Sequence, residues 1–334
     1  MYVTHRSIAI TDRSSIGEVR RAAQTAAQSL GFAESRRNDI GIAATEAATN
    51  IVLHANTGEF LICATQNEGS SYLDLLALDS GSGIYNIPRA FEDGYSTIGT
   101  AGQGLGAVQR LSDVSSLYSL PDRGTVFWIR FHLGTIALTR QHGAVSIPIK
   151  GESVCGDGFL ALPGKLRSLY MMVDGLGHGA HAAEAAEEAV KTVRTHAAES
   201  AAEIIARTHD ALKKTRGAAM TVTVVDHERQ ILICSGVGNI SATIIGTATT
   251  RSLVSQNGTL GAVLPRIQEF TYPIDSRSLL LMYSDGLNTK CSLSSYPGLQ
   301  VRHPQLIAGL LYRDFSRHRD DASVMLASLG GDAA

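Results

Sequence analysis

The chain has 334 residues, 44% of them apolar, with 29 Lys and Arg against 31 Asp and Glu and a formal charge of −2. That length suits two domains of ordinary size with real cores. The charge gives no electrostatic reason to expect nucleic acid, and no window reaches the ~18 uncharged apolar residues of a membrane span.

The opening MYVTHRSIAI lacks the long apolar core of a signal peptide. Cys63, Cys155, Cys234 and Cys291 are widely spaced, with no CxxC pair. They read as free thiols of a reducing compartment, so a cytoplasmic protein is expected.

In chain order, residues 3–10 alternate weakly, as an edge strand would. Over 15–30, Ile16, Val19, Ala22, Ala23, Ala26 and Leu30 recur at helical spacing, and Gly31 supplies a stop. A second helix is predicted over 36–55, with Ile40, Ala43, Ala44, Ala47, Ile51 and the region of Leu53 and His54 turned inward. Strands follow at 58–66 and 72–79 around the turn cluster NEGSS. A loop to about 103 leads to a helix at 104–112 and to strands at 114–119 and 125–132, parted by PDRG. Helices followed by antiparallel strands predict an α+β sandwich over 1–135.

A short connection over 136–143 leads to a second domain, 144–334. Its predicted strands lie at 144–149, 158–162 and 168–173. Two helices follow at 179–197 and 199–215, then strands at 219–226, 229–235, 240–247, 251–254 and 279–284. A helix at 303–315 and a strand at 322–328 close the pattern. So many short strands around adjacent helices predict a two-sheet β-sandwich flanked by helices. The short connection implies closely tethered domains.

Two sets of residues carry chemistry. In the first half, Glu46 and Asn50 stand four apart and share one helix face. An Asn oxygen, phosphates and waters make a workable Mg²⁺ site, although an exposed polar pair is the plainer reading of these two alone. Asp79-Ser80-Gly81-Ser82-Gly83 ends a strand, where a carboxylate can accept the exocyclic amine of adenine and glycine lets the backbone approach a flat base. Gly99-Thr-Ala-Gly102-Gln-Gly104-Leu-Gly106 opens a helix whose N–H groups suit phosphate. The segment before it, EDGYSTIGT, is a loop and not a strand, so a dinucleotide fingerprint does not fit. Gly124-Thr125 begins the last strand, with a hydroxyl within reach of a base edge.

Taken in this order, the signals resemble the GHKL superfamily of ATPases, which includes histidine kinases and anti-sigma-factor serine kinases. The run EDGYST…GQGLGAVQRLSD is most similar to the small serine kinases that switch stressosomes. The resemblance covers nearly all of 5–132 and implies a GHKL (Bergerat) α/β sandwich that binds ATP. It gives Asn50 the Mg²⁺, makes Glu46 the general base on a substrate serine, and sets Asp79 on adenine beside Gly81 and Gly83. Gly104 and Gly106 would meet the phosphates, and Thr125 the base.

The second half carries acids at strand ends: Asp157 in ESVCGDGF, Asp174 in VDGLGHG, Asp285 in YSDG, and Asp320 and Asp321 in RDDAS. Each alone reads as a turn aspartate. Brought together they would repel strongly unless cations neutralised them, and hard oxygen donors suit Mg²⁺ or Mn²⁺ rather than zinc. The set resembles the metal-dependent protein phosphatases of type 2C (PP2C), in the compact bacterial branch that acts on regulators of sigma factors and stressosomes. The motifs are GEXVXGD, DGLGHG, MTVTVVD, CSGVGN, LLLMYSDG and DDAS over about 144–329. The resemblance implies a PP2C-like fold, with Asp174 as bridging ligand and catalytic centre, the Gly175 carbonyl beside it, and Asp157, Asp285 and Asp320 as further ligands. Asp321 takes a position often held by Asn. Lys150 stands where larger relatives carry a phosphate-binding arginine, which leaves the phosphate to the metals. His178 has two open readings: acid for the leaving serine, or a helix-start residue paired locally.

Together these resemblances imply a bifunctional regulator, an ATP-binding serine-kinase-like domain fused to a Mg²⁺/Mn²⁺-dependent phosphoserine/phosphothreonine phosphatase. The implied partner is a phosphorylated STAS-domain protein of partner switching, with a homodimer also compatible and neither nucleic acid nor membrane expected. The alternative keeps the phosphatase and makes the first domain a non-catalytic nucleotide sensor or partner-binding module.

Overall fold

A computed structural model describes residues 4–67, 70–92, 104–134, 141–247, 249–264 and 266–330. The chain separates into two compact units, one of His5–Ala137 and one built on Leu138–Ala334. Residues 136–140 of the expected connection lie outside the described residues.

The first unit opens with β1 (Arg6–Ile10), α1 (Arg13–Leu30) and α2 (Glu34–His54). The Asp12 carboxylate caps α1 by accepting the Ser14 N–H at 2.7 Å. Gly31 ends the helix in the left-handed region, φ 90°, and its N–H returns to the Ala27 and Gln28 carbonyls. β2 (Gly58–Asn67), β3 (Ser70–Asp79), the four-residue α3 (Ile87–Ala90), α4 (Gly104–Leu111), β4 (Val114–Ser119) and β5 (Thr125–Leu133) complete the unit. The strands form one antiparallel sheet in the order β1-β2-β3-β5-β4. Small side chains on the helix faces (Ala22, Ala23 and Ala27 of α1; Ala43, Ala44 and Ala47 of α2) share one core with Phe60, Leu73, Leu75, Ile129 and Phe131 of the sheet. This is the expected α/β sandwich. His54 differs from expectation: it is exposed at the last turn of α2.

The second unit runs β6 (His142–Ile147), β7 (Asp157–Leu162), β8 (Arg167–Gly175), α5 (Ala180–Thr195), α6 (Ala201–Leu212), β9 (Ala218–Asp226), β10 (Ile231–Val237), β11 (Ser241–Ile245), β12 (Thr250–Ser252), β13 (Phe270–Pro273), β14 (Leu279–Tyr283), α7 (Pro304–Phe315) and β15 (Ala322–Ser328). Its strands make two five-stranded antiparallel sheets, β13-β10-β9-β8-β7 and β12-β11-β14-β15-β6. Tyr170, Met172, Leu232 and Cys234 of the first sheet meet Ile244, Leu280, Met282 and Met325 of the second in a dry core. The outer face of the first sheet packs Met171, Val173, Met220 and Val222 against Ala185, Ala186 and Ala189 of α5 and Ile204 and Ile205 of α6. α7 lies against β6 and β15. This is the expected β-sandwich flanked by helices. Among the described residues, no helix is long and apolar enough to cross a membrane.

Candidate functional site

In the first unit, the predicted nucleotide residues come from α2, the end of β3, the start of α4 and the start of β5. Glu46 and Asn50 share a face of α2, and both meet the first residue of α4. A Cβ built on Gly104 would lie 2.9 Å from Glu46 Oε2 and 3.7 Å from Asn50 Oδ1. A side chain there would displace the Glu46 carboxylate. Among the described residues, the buried Asn50 Nδ2 has no hydrogen-bond partner, as an amide set to meet a polar ligand would.

Asp79 ends β3, and its Oδ1 accepts the N–H of Gly81 at 2.9 Å and of Thr125 at 3.2 Å. The carboxylate is thereby fixed between two loops. Gly83 sits at φ 69°, with the Leu120 carbonyl 2.1 Å from where a Cβ would stand, so a side chain is barred there. Thr125 Oγ1 meets Ser119 Oγ at 3.0 Å, and Ser119 Oγ also accepts the Ile84 N–H at 2.8 Å. Gly106 is buried in α4. Gly99 and Gly102 of the predicted phosphate loop fall outside the described residues. The donor set fits a nucleotide with a hydrated cation: an unpartnered amide, a fixed carboxylate and glycine-lined space.

In the second unit, Asp157 and Asp174 are direct partners across β7 and β8 and lie on the same face of the sheet. Asp157 is 2% exposed, and its Oδ2 accepts the Ser284 hydroxyl at 2.6 Å. Ser284 belongs to the segment leaving β14, and its Oγ also accepts the Ser323 N–H at the start of β15 at 3.0 Å. One hydroxyl therefore ties the acid of one sheet to two strands of the other. Asp285 follows Ser284, and the Asn239 amide donates to its Oδ2 at 2.8 Å.

Burial pushes the Asp157 carboxyl up to about 7, with Asp321 and Asp285 adding to the rise and the Ser284 hydroxyl opposing it. Asp174 is pushed up to about 9, chiefly by burial and then by Asp157, Asp285, Asp320 and Asp321. Asp285 is raised by burial and by Asp320, against the pull of Arg317 and Asn239. These acids lie near enough to resist one another's ionisation. Among the described residues, no three His, Cys, Asp or Glu groups are drawn together tightly enough to grip one ion. The donor set, all oxygen and partly desolvated, fits a hard divalent cation that keeps several waters.

The two acids of RDDAS part company. Asp321 is 3% exposed, and its carboxylate accepts the backbone N–H of Ile149 at 2.7 Å and of Gly156 at 2.6 Å. It stitches the segment after β6 to the segment before β7. Asp320 is exposed and helps line a cleft of about 490 Å³ whose charged residues are Asp285, Asp314, Arg317 and Arg319. Gly175 closes β8 against α5: a Cβ there would come within 2.2 Å of the Ala182 carbonyl. His178 Nδ1 meets Glu152 Oε1 at 2.8 Å. Lys150 is exposed.

Sequence reading missed Ser284, Asn239, Glu152 and the two cleft arginines as members of this site. Asn239 and Ser284 stand inside motifs already singled out, CSGVGN and YSDG. Their partners lie 46 and 127 residues away along the chain, so no local pattern points to them.

Residues 10–131 match the histidine kinase-like ATPase domain family, and residues 165–329 match the stage II sporulation protein E (SpoIIE) family. The chain is 37% identical over 115 residues to the serine/threonine-protein kinase RsbT of Bacillus subtilis, an alignment spanning 33% of this chain and 86% of that protein. It is 30% identical over 142 residues to the phosphoserine phosphatase RsbX of the same species, spanning 42% of this chain and 70% of that protein. A solved structure of the PP2C phosphatase domain of SpoIIE from Bacillus subtilis, with a fragment of its regulatory domain, shares the fold at a TM-score of 0.51 and 16% identity, over 81% of each chain. The chain thus belongs to two families at once, the RsbT-like histidine kinase-like ATPases through its first unit and the SpoIIE and RsbX type of PP2C phosphatases through its second.

Proposed function

We propose that this protein is a partner-switching regulator whose second unit removes phosphate from phosphoserine or phosphothreonine on a STAS-domain protein, with Mg²⁺ or Mn²⁺ as cofactor. The observation that carries the reading is the opposed pair Asp157 and Asp174, desolvated beside Asp285 and Asp320. Ionised acids buried this close to one another are costly in a fold unless a cation offsets them. Asp157, Asp174, Asp285, Asp320 and the Gly175 carbonyl are the groups that would hold it. When bound, such ions supply charge neutralisation and a water acidified for attack on phosphorus.

The chain's own residues do the rest. Ser284 and Asn239 keep Asp157 and Asp285 oriented by hydrogen bonds. Glu152 holds the His178 imidazole through Nδ1, which leaves Nε2 to hand a proton to the departing serine oxygen.

For the first unit we propose ATP binding, with Asn50 toward the Mg²⁺, Asp79 toward adenine, Gly81, Gly83 and Thr125 around the base, and Gly104 and Gly106 at the phosphates. Glu46, beside Gly104, is the proposed base of serine phosphorylation, because phosphoryl transfer asks mainly for positioning and charge neutralisation.

The test is direct. Full-length protein with Mn²⁺ should dephosphorylate a phosphoserine STAS protein, lose the activity to chelator, and lose more than ~100-fold with Asp174→Asn. Activity indifferent to chelator would end the metal reading. Labelled ATP should pass its phosphate to the unphosphorylated STAS protein, and Glu46→Ala should stop the transfer. If the wild type binds ATP and transfers nothing, the first unit is a nucleotide-binding module and only the phosphatase half stands.

A further inference from the structure

The cleft that reaches Asp285, Asp314 and Asp320 is also lined by two cations, Arg317 and Arg319, and the fold ties down the segment that carries them. Residues 316–321 join α7 to β15. The Arg317 N–H donates to the Gly286 carbonyl and the Asn288 N–H to the Phe315 carbonyl, each at 2.8 Å, and Leu287 bridges Ser316. The segment that carries the arginines is thereby zipped to the segment that carries Asp285.

Between the two arginines, His318 takes φ 52°, in the left-handed region that a side chain adopts only under constraint. Its N–H donates to Ser316 Oγ at 3.3 Å, and its ring meets Tyr312 of α7 edge-on at 6.3 Å. His318 is thus engaged with α7, while its neighbours Arg317 and Arg319 line the cleft.

A phosphomonoester carries a charge of about −1.5 to −2 and three acceptor oxygens. Guanidinium forks match that geometry better than any other side chain and stay charged at all working pH values. Acids alone could not hold such a ligand, and Lys150 is not among the residues lining this cleft.

We propose that Arg317 and Arg319 form the substrate-phosphate clamp of the phosphatase unit. They grip the oxygens of a phosphoserine or phosphothreonine and set it against the carboxylate end of the cleft. In this chain the cation for substrate phosphate comes from the loop before β15 and not from the segment after β6. The proposal rests on the phosphatase reading above, and its test separates the two.

The probes are inorganic phosphate and p-nitrophenyl phosphate, with full-length protein at saturating Mn²⁺. Titration calorimetry reads phosphate binding without turnover, and steady-state kinetics give KM and kcat. Arg317→Gln and Arg319→Gln should each weaken phosphate binding and raise KM by roughly 10-fold or more, as expected for a charge-assisted hydrogen bond. The effect on kcat should be smaller, and Arg317→Lys should recover part of the loss.

Both arginines are exposed, so the variants should fold, which a melting curve checks. Phosphate affinity and KM within about twofold of wild type in the double variant would overturn the clamp. So would a change confined to the Mn²⁺ concentration for half-activity, since that would make Arg317 a mere counter-charge to Asp285. If the wild type hydrolyses neither p-nitrophenyl phosphate nor a phosphoprotein, the phosphatase reading fails, while calorimetry still decides whether the arginines bind phosphate.

Discussion

Asp74 is a buried, fully committed carboxylate of the first unit. It is 3% exposed and accepts Trp128 Nε1 at 2.8 Å and Arg130 through Nε and Nη2, both at 2.7 Å. The Arg130 guanidinium lies 3.9 Å over the Tyr72 ring. Burial pulls the guanidinium pKa down, but Asp74 outweighs it and holds Arg130 above its ordinary value. Asp74→Asn would leave that cation facing a neutral amide, and the expected loss is about 3–5 kcal/mol in denaturant unfolding. The double replacement Asp74→Leu with Arg130→Leu should cost much less, because it removes both charges together. A single variant as stable as wild type would mean that the pair is solvated in solution. At the proposed metal site, the same distinction separates Asp321, held by two backbone N–H groups, from Asp320, which faces the cleft. Two adjacent identical letters thus take opposite roles, and only the folded chain tells them apart.

Elements were legible where the periodicity was long. The Ala-rich faces of α1, α2 and α5 and the apolar runs of β8, β9 and β14 announce themselves, because burial demands a stripe or a run. β13 escaped notice because FTYP alternates between half-buried and exposed and ends in proline, an edge strand's signature that looks like a loop. α3 has only four residues, too few for any period. Sheet order was not legible either. β6 pairs with β15 across most of the second unit, and such pairings depend on contacts that no window of sequence contains. The carboxylates could be nominated from motifs, but Ser284 and Asn239 meet theirs only after the two sheets have closed. At this scale Gly175 makes a sharp forecast. A methyl there would drive into the Ala182 carbonyl, so Gly175→Ala should push α5 off β8 and cost about 1–3 kcal/mol, read as a lower melting temperature. An unchanged melt would mean that the β8–α5 contact is looser than described.

For the second unit as a whole, the buried acids set a pH dependence. Asp157 rises from 3.8 to about 7 and Asp174 from 3.8 to about 9. The metal-free fold therefore holds these protons more tightly than the unfolded chain does. Their contribution is fully present below about pH 3.8 and is lost as pH climbs through 7 and then 9. Metal-free protein should melt at progressively lower temperature across that window, and Asp174→Asn should flatten the upper part of the slope. A melting temperature that rises between pH 5 and 8 without metal would contradict the burial of this pair.

The Asp157 and Asp174 side chains hang from one leaf of the sandwich, while Asp285 and Asp320 sit at strand ends of the other. Any ion shared among them rivets the leaves together at their seam. Occupancy and rigidity then become a single variable: an ion present at a hundredfold over its dissociation constant would add about 2.7 kcal/mol to the fold. On the proposed metal reading, scarcity of the ion would cost the second unit that stabilisation along with its activity, so that cation supply would set its resistance to proteolysis as well.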